Sequence, residues 1–307
     1  MHIVSGRWQL GLVLASITAL MWGFLPIALK FLFSSMDPWT ITFYRYISSA
    51  LIVGFYLLAT NKFPKLSQFT ASNVKLLIVA ISGLSANYIF YLWGLDYTNS
   101  STAQVLIQLA PMLLLFSGIF FFREQFSKLQ WFGFILFIFG LLLFFNKKLI
   151  AMFTQQGNYT LGVLFIIIAA ITWVAYGIAQ KVLLKEFSSP VIMFIILFFG
   201  SFLFMPLAEP AQIFELTNFQ LWALIFSCLN TVIAYGCFAE ALEHWEASRI
   251  SAVVTLAPVY TVAGVYGLNY LFPETFTGET LSSLTLWGIV VVIAGAMITA
   301  LGKKKAS

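Results

Sequence analysis

Residues 93–140 read WGLDYTNSSTAQVLIQLAPMLLLFSGIFFFREQFSKLQWFGFILFIFG. Two apolar runs, 101–122 and 129–145, are joined by a short charged turn holding Arg123, Glu124 and Lys128. A helix needs about 20 apolar residues to cross a hydrocarbon core about 30 Å thick, and this stretch offers two such helices back to back. The same text returns further along the chain, as EALEHWEASRISAVVTLAPVY at 240–260 and GETLSSLTLWGIVVVIAG at 278–295. Leu109, Ala110 and Pro111 become Leu256, Ala257 and Pro258, 147 positions on. Glu124, Ser127, Leu129, Gly133 and Gly140 become Glu279, Ser282, Leu284, Gly288 and Gly295, 155 positions on. Repetition at a fixed period marks a duplicated unit.

Working outward, apolar runs of spanning length occupy roughly 9–33, 38–59, 74–97, 101–122, 129–145, 161–184, 190–207, 219–242, 248–272 and 284–301. Trp22 and Lys30 recur 151 positions later as Trp173 and Lys181, and Pro38 recurs as Pro190. The repeat therefore covers five consecutive runs. The offset drifts by a few residues, and the largest insertion falls in LNYLFPETFTGE after the ninth run. The expected fold is an all-α polytopic membrane protein of ten transmembrane helices, with repeats at 1–150 and 151–307. Five is odd, so the second repeat must enter the bilayer from the opposite side. Inverted repeats of this kind place a solute site near the bilayer midplane, where the two halves meet.

Composition agrees. Of 307 residues, 61% are hydrophobic and 9% charged, against about 25% charged in soluble domains. Mean hydropathy is +0.95. Lipid is the solvent such a chain requires, so the net charge of +5 is not a nucleic-acid footprint. With the N-terminus placed in the cytoplasm, twelve of the sixteen basic residues fall in inside segments. Three (Lys30, Lys147 and Lys148) fall outside, and Arg45 lies within a span. The positive-inside rule then places both termini in the cytoplasm, in a multi-pass protein of the inner (plasma) membrane. The first run is too long for a signal-peptide core and is expected to be retained. The two cysteines, Cys228 and Cys237, share one apolar run and suit neither a zinc site nor a disulfide framework.

The quoted segments, with MWGFLPIALK at 21–30 and TITFYRY at 40–46, resemble the EamA-type domain of the drug/metabolite transporter superfamily. The resemblance covers nearly the whole chain, as two domains in tandem. It implies a secondary transporter of small metabolites such as amino acids or amines, with export the expected direction. There are departures. Leu197 stands near the position matching Arg45, so the second half lacks the arginine, and the ninth run carries the insertion.

Polar groups at membrane depth are costly and face a bundle interior or a water-filled path. Gln104 and Gln108 lie four apart on one helix face, followed by Pro111. Asn87 and Tyr91 share a face beside Tyr88, and Tyr235 and Thr255 are the repeat mates of Tyr88 and Gln108. With Trp22, Trp173, Tyr176 and Asn230, these are the candidate substrate-binding residues. The competing role for each amide is a helix–helix hydrogen bond, and for each aromatic it is packing. Pro26, Pro111 and Pro258 are candidate kinks or hinges. Arg45 lies about 9 Å into its span. It either snorkels to the surface or pairs with a substrate carboxylate or with backbone carbonyls.

The histidines, His2 and His244, and the carboxylates sit near span ends, so no metal, cofactor or catalytic acid–base cluster is expected and an enzyme is disfavoured. The nearest acid to membrane depth is Glu240, and no buried carboxylate is expected to carry a proton. The mostly uncharged lining suits a small neutral or zwitterionic solute, an amino acid first among them. Sugars, nucleosides and organic cations are the alternative solutes. A channel or a structural subunit is the alternative role. Beyond the solute and the lipid bilayer no partner is implied, and the chain would act as a monomer or homodimer.

Overall fold

The computed structural model describes residues 7–122, 127–146, 157–245, 247–272 and 281–302. Arg123, Glu124, Lys147, Lys148, Glu279, the lysines at 303–305 and most of the insertion after the ninth run lie outside them. Among the described residues the chain is all helix and turn, with no strand. The first half holds α1 (Trp8–Leu32), α2 (Pro38–Ala59), α3 (Ala71–Tyr97), α4 (Ser100–Leu106), α5 (Leu109–Phe122) and α6 (Lys128–Phe144). The second holds α7 (Asn158–Leu183), α8 (Ser189–Phe204), α9 (Asn218–His244), α10 (Ala247–Val254), α11 (Ala257–Leu271) and α12 (Ser283–Leu301).

Among the described residues seven helices are long and apolar enough to cross a membrane, counting Arg249–Leu271 as one. Ser100–Leu114, Lys128–Phe144 and Ser189–Phe204 are apolar but shorter. The outer surface carries large apolar side chains open to the surroundings, among them Phe55, Trp222 and Ile135 at 73%, 70% and 65% exposure. Water would not tolerate so much exposed hydrocarbon, and lipid does.

Local chemistry sets the helix starts. Asp37 caps α2 by accepting from the Trp39 and Thr40 amides at 2.8 and 3.1 Å, with Pro38 in the first turn, where its missing N–H costs nothing. Ser127 with Gln130 and Thr217 with Gln220 form capping boxes on α6 and α9. Ser282 accepts from the Thr285 amide at the start of α12.

Packing runs mostly between the halves, and the pairs come in mates. α1 packs on α9 as α7 packs on α3, while α2 packs on α8 and α6 on α12. In lipid no hydrophobic drive holds helices together, so close approach through small residues must do it. The repeated Gly-x6-Gly pairs supply that contact for α6 and α12. A Cβ added at Gly133 would stand 2.5 Å from the Thr299 nitrogen, and one at Gly140 would stand 2.5 Å from the Val292 nitrogen. Gly288 and Gly295 meet the backbone of Phe144 and Phe137 in return. Gly94 and Gly162 oppose each other at the α3–α7 crossing in the same way.

The fourth and ninth runs, expected as continuous helices, are each broken in two. A proline ring clashes with the carbonyl four residues before it and offers that carbonyl no N–H. For Pro111 that residue is Ile107, and for Pro258 it is Val254. The breaks fall there, after Leu106 and after Val254. The backbone bridges them with tighter i to i−3 bonds, Gln108 N to Val105 O at 3.3 Å and Leu256 N to Val253 O at 3.0 Å. Pro26 behaves differently, because α1 continues through it. Carbonyls beside the gap take side-chain donors from across the bundle. Asn230 Nδ2 donates to Met21 O at 2.5 Å, and Thr261 Oγ1 donates to Gly23 O at 2.6 Å. Such substitute donors are what let a membrane helix tolerate proline.

Candidate functional site

Where the halves meet, a cavity of about 530 Å³ opens between α1, α2, α3, α7 and α9 and the two broken helices. Its wall includes Trp22, Arg45, Asn87, Tyr88, Tyr91, Gln104, Gln108, Trp173, Asn230, Tyr235 and Thr255, all singled out from sequence, together with Pro111. That volume falls in the range of small-molecule sites. Pro258 is in the first turn of α11 and Pro26 inside α1, and neither lines the cavity. Nor does Tyr176. It is buried in the α7–α8 side of the core, edge-on to Trp173, with its hydroxyl 3.5 Å from Met193 Sδ.

The breaks place the central polar groups. Gln108 lies between α4 and α5, and Thr255 between α10 and α11, so each sits where its helix is interrupted. Gln104 and Gln108 are 4% and 5% exposed. Thr255 turns its own hydroxyl back to Ala252 O at 2.7 Å. Asn87 donates to Ala169 O at 2.9 Å, so this amide does perform the helix–helix bond that competed with a solute role. Asn230 likewise spends its NH₂ on α1, while its buried Oδ1 accepts no hydrogen bond among the described residues.

Aromatic rings close one side. Trp22 meets Tyr235 edge-on at 5.4 Å between ring centres and lies 5.9 Å from Phe238. Opposite, Tyr88 packs edge-on against Tyr46 at 4.9 Å. The face of Tyr88 carries Arg45, whose guanidinium carbon lies 4.4 Å from the ring centre. Arg45 does not snorkel. It is 3% exposed, Nε donates to Ser227 O at 3.3 Å, and Nη2 donates to Thr231 Oγ1 at 3.4 Å. It is the only charged side chain in the described cavity wall. Among the described residues no group of three or more His, Cys, Asp or Glu is placed to hold a metal.

Sequence reasoning missed Gln130, Ser251 and Phe238 in the wall. The repeat offset of 147 carried the signal for two of them. Ser251 is the mate of Gln104, and Phe238 is the mate of Tyr91. Gln130 also serves the α6 cap, and nothing in its sequence setting sets it apart.

Comparison with known proteins follows the same duplication. The EamA-like transporter family matches residues 9–146 and again residues 160–301. The uncharacterized inner membrane transporter YhbE of Escherichia coli is 38% identical over 296 residues, covering 96% of this chain and 92% of that protein. An uncharacterized transporter of Haemophilus influenzae is 36% identical, covering 96% of each. A more distant relative, 21% identical over 94% of each chain, is named "Probable amino-acid metabolite efflux pump" in Escherichia coli. One crystal structure superposes with a TM-score of 0.63 at 15% identity, over 96% of this chain and 99% of that one, which is a likeness of fold. Two tandem family matches that together span the ten apolar runs, with relatives at this identity, make the chain a member of the EamA-like transporter family.

Proposed function

We propose that this chain is a secondary transporter that exports small neutral or zwitterionic metabolites, amino acids first among them, across the inner membrane. The observation that carries this reading is the wall of the central cavity. It combines amides, hydroxyls and aromatic faces from both halves with a single cation, and it holds no carboxylate among the described residues. A polyanion would need several cations. A multivalent metal ion would need carboxylates. Amides and hydroxyls suit a neutral or zwitterionic head, and the rings around Trp22 suit an apolar body.

The architecture we assign is ten transmembrane helices in two inverted repeats, 1–150 and 151–307, with both termini in the cytoplasm. The mated packing of α1 on α9 and α7 on α3 supports it, as does the fall of both family matches within those bounds. The fourth and ninth spans are then the broken ones, and interrupted helices at the midplane are where transporters of inverted-repeat design hold solute. Export as the direction draws on the name of the distant efflux-pump relative.

The test is counterflow in proteoliposomes. Vesicles preloaded with a mixture of amino acids should accumulate external radiolabelled amino acid transiently, and Gln108→Ala should slow this more than Phe55→Ala at the outer surface. Uptake of sugar phosphates or nucleotide sugars with no amino-acid flux would refute the reading.

A further inference from the structure

We infer that Arg45 makes a free carboxylate an obligatory part of the solute, so the site selects carboxylic acids and zwitterions over neutral sugars, nucleosides and organic cations. This rests on the transporter reading above and narrows it.

Arg45 carries a charge that no described side chain neutralises. Taking a guanidinium out of water costs several kcal/mol unless a counter-charge and hydrogen bonds replace the water. Arg45 is 3% exposed, on a helix long and apolar enough to span the membrane. Around it stand a backbone carbonyl of α9, the hydroxyl of Thr231 and the face of Tyr88, all formally neutral. No carboxylate of the described residues pairs with it, and one ion pair among them, His244 with Glu240 at 3.1 Å, is at the end of α9. A guanidinium has five N–H donors, and two of them are directed to α9. The Nη1 pair has no partner among the described residues, and the residue lines the cavity. Nε and Nη2 hold the fork to α9, which leaves the Nη1 edge to meet a solute.

The group that completes such a fork is a planar monoanion. Carboxylate matches guanidinium with two parallel bonds, and a charge-assisted bond is about twice as strong as a neutral one. A neutral hydroxyl would leave the charge unpaired, and an organic cation would add repulsion. The opposite end of a zwitterion meets no counterpart charge, because the described wall has no acid. Its ammonium must rest on neutral acceptors, of which Asn230 Oδ1 is the buried one without a donor. Recognition is therefore lopsided: losing the carboxylate should weaken binding more than losing the amino group.

The full chain in detergent, followed by its melting temperature, tests this, because a ligand of the folded state raises it. The probes are the twenty L-amino acids, then the C-terminal amide, the decarboxylated amine and the des-amino acid of the two strongest binders. The expected result is that amide and amine bind about ten-fold or more weaker, while the des-amino acid loses less. Arg45→Gln should abolish the amino-acid response, and Arg45→Lys should restore only part of it, since lysine keeps the charge without the fork. If Arg45→Gln does not fold, the analogue series on the unaltered protein decides alone. Amides or amines that bind within two-fold of the parent acid would overturn this inference and leave the transporter reading standing. So would a folded Arg45→Gln protein with an unchanged response. Stabilisation by sugars or nucleosides alone, or by no probe at all, would overturn both.

Discussion

Gly295→Ala probes the contact on which the two halves close. A Cβ there would stand 2.7 Å from Gly133 O and 2.7 Å from Phe137 Cα, and it would also strike the Phe137 nitrogen. Ordinary contacts lie at 3.4–4 Å, so about 0.7 Å must be found at those two atoms and more at the Phe137 nitrogen. All three obstacles are backbone, and no side chain can swing away to make room. The helices must separate as bodies, which also loosens the contacts at Gly140 and Gly288 along the same seam. Overpacking of this kind costs roughly 1–3 kcal/mol. Alanine returns about 0.8–1 kcal/mol of helix propensity. The expected net loss is therefore up to about 2 kcal/mol, toward the upper end because only backbone stands in the way. The measurement is the midpoint of unfolding by added denaturing detergent at fixed temperature. Gly267→Ala is the control. Nothing lies within 4 Å of a Cβ at that position, so it should be neutral or slightly stabilising. The double variant Gly288→Ala with Gly295→Ala should lose less than the two single losses combined, because the first separation makes room for the second. A Gly295→Ala protein as stable as the unaltered one would refute the reasoning. So would a Gly267→Ala protein that loses as much.

Three further outcomes are expected. Thr261→Val removes the 2.6 Å bond to Gly23 O beside the proline gap of α1 and should cost about 0.6–1.7 kcal/mol in the same unfolding assay; a stabilised variant would show that the bond does not matter there. Glu240→Gln should leave both flux and its pH dependence unchanged and cost less than about 0.5 kcal/mol, because Glu240 is 55% exposed and pairs with His244 one turn away; loss of pH-driven exchange in a folded variant would make it the coupling residue. In a chain whose Cys228 and Cys237 are replaced, a new cysteine at Ser307 should stay unlabelled by an impermeant reagent in intact cells while one at Asn158 is labelled; the reverse would invert the topology.

Much of the scaffold was legible in the sequence, because a membrane helix announces itself by length and polarity alone. The described helix ends differ from the apolar runs by only a few residues, and the repeated glycines of α6 and α12 are among those that matter to packing. Gly133 and Gly140 meet the helix that carries their own mates. Other features needed coordinates. The breaks at Pro111 and Pro258 could be placed only by knowing that among the described residues no side chain of another helix bonds the carbonyls beside them, whereas Asn230 and Thr261 bond carbonyls beside Pro26 and α1 runs on. Tyr176 could not be told from its neighbour Trp173. One turns into the α7–α8 packing and the other into the cavity, a difference set by side-chain direction and not by residue type. The environment of Arg45 was illegible for the same reason, since Ser227 and Thr231 are 182 and 186 positions away.

The cavity wall divides into two kinds of residue. Trp22 and Trp173, Tyr88 and Tyr235, Tyr91 and Phe238, Gln104 and Ser251, and Gln108 and Thr255 are repeat mates that face the same space. They give the wall its shape, and duplication alone explains them. Arg45, Asn87 and Asn230 stand apart. Their mates are Leu197, Ala234 and Gly83, all buried and all without a polar side chain. For the arginine there is an electrostatic reason. A sphere of the cavity's volume is about 10 Å across, and two like charges that far apart repel by roughly 1.7 kcal/mol at an effective dielectric constant of about 20. Each would also need its own counter-ion on desolvation. A symmetric pair of arginines would therefore oppose the empty state and demand a dianion in the filled one. One arginine with a leucine in the mated place removes that repulsion, halves the desolvation cost and leaves a site for a single carboxylate. The repeated residues fix the space between the halves, and the residues that fail to repeat fix which end of the solute lies where.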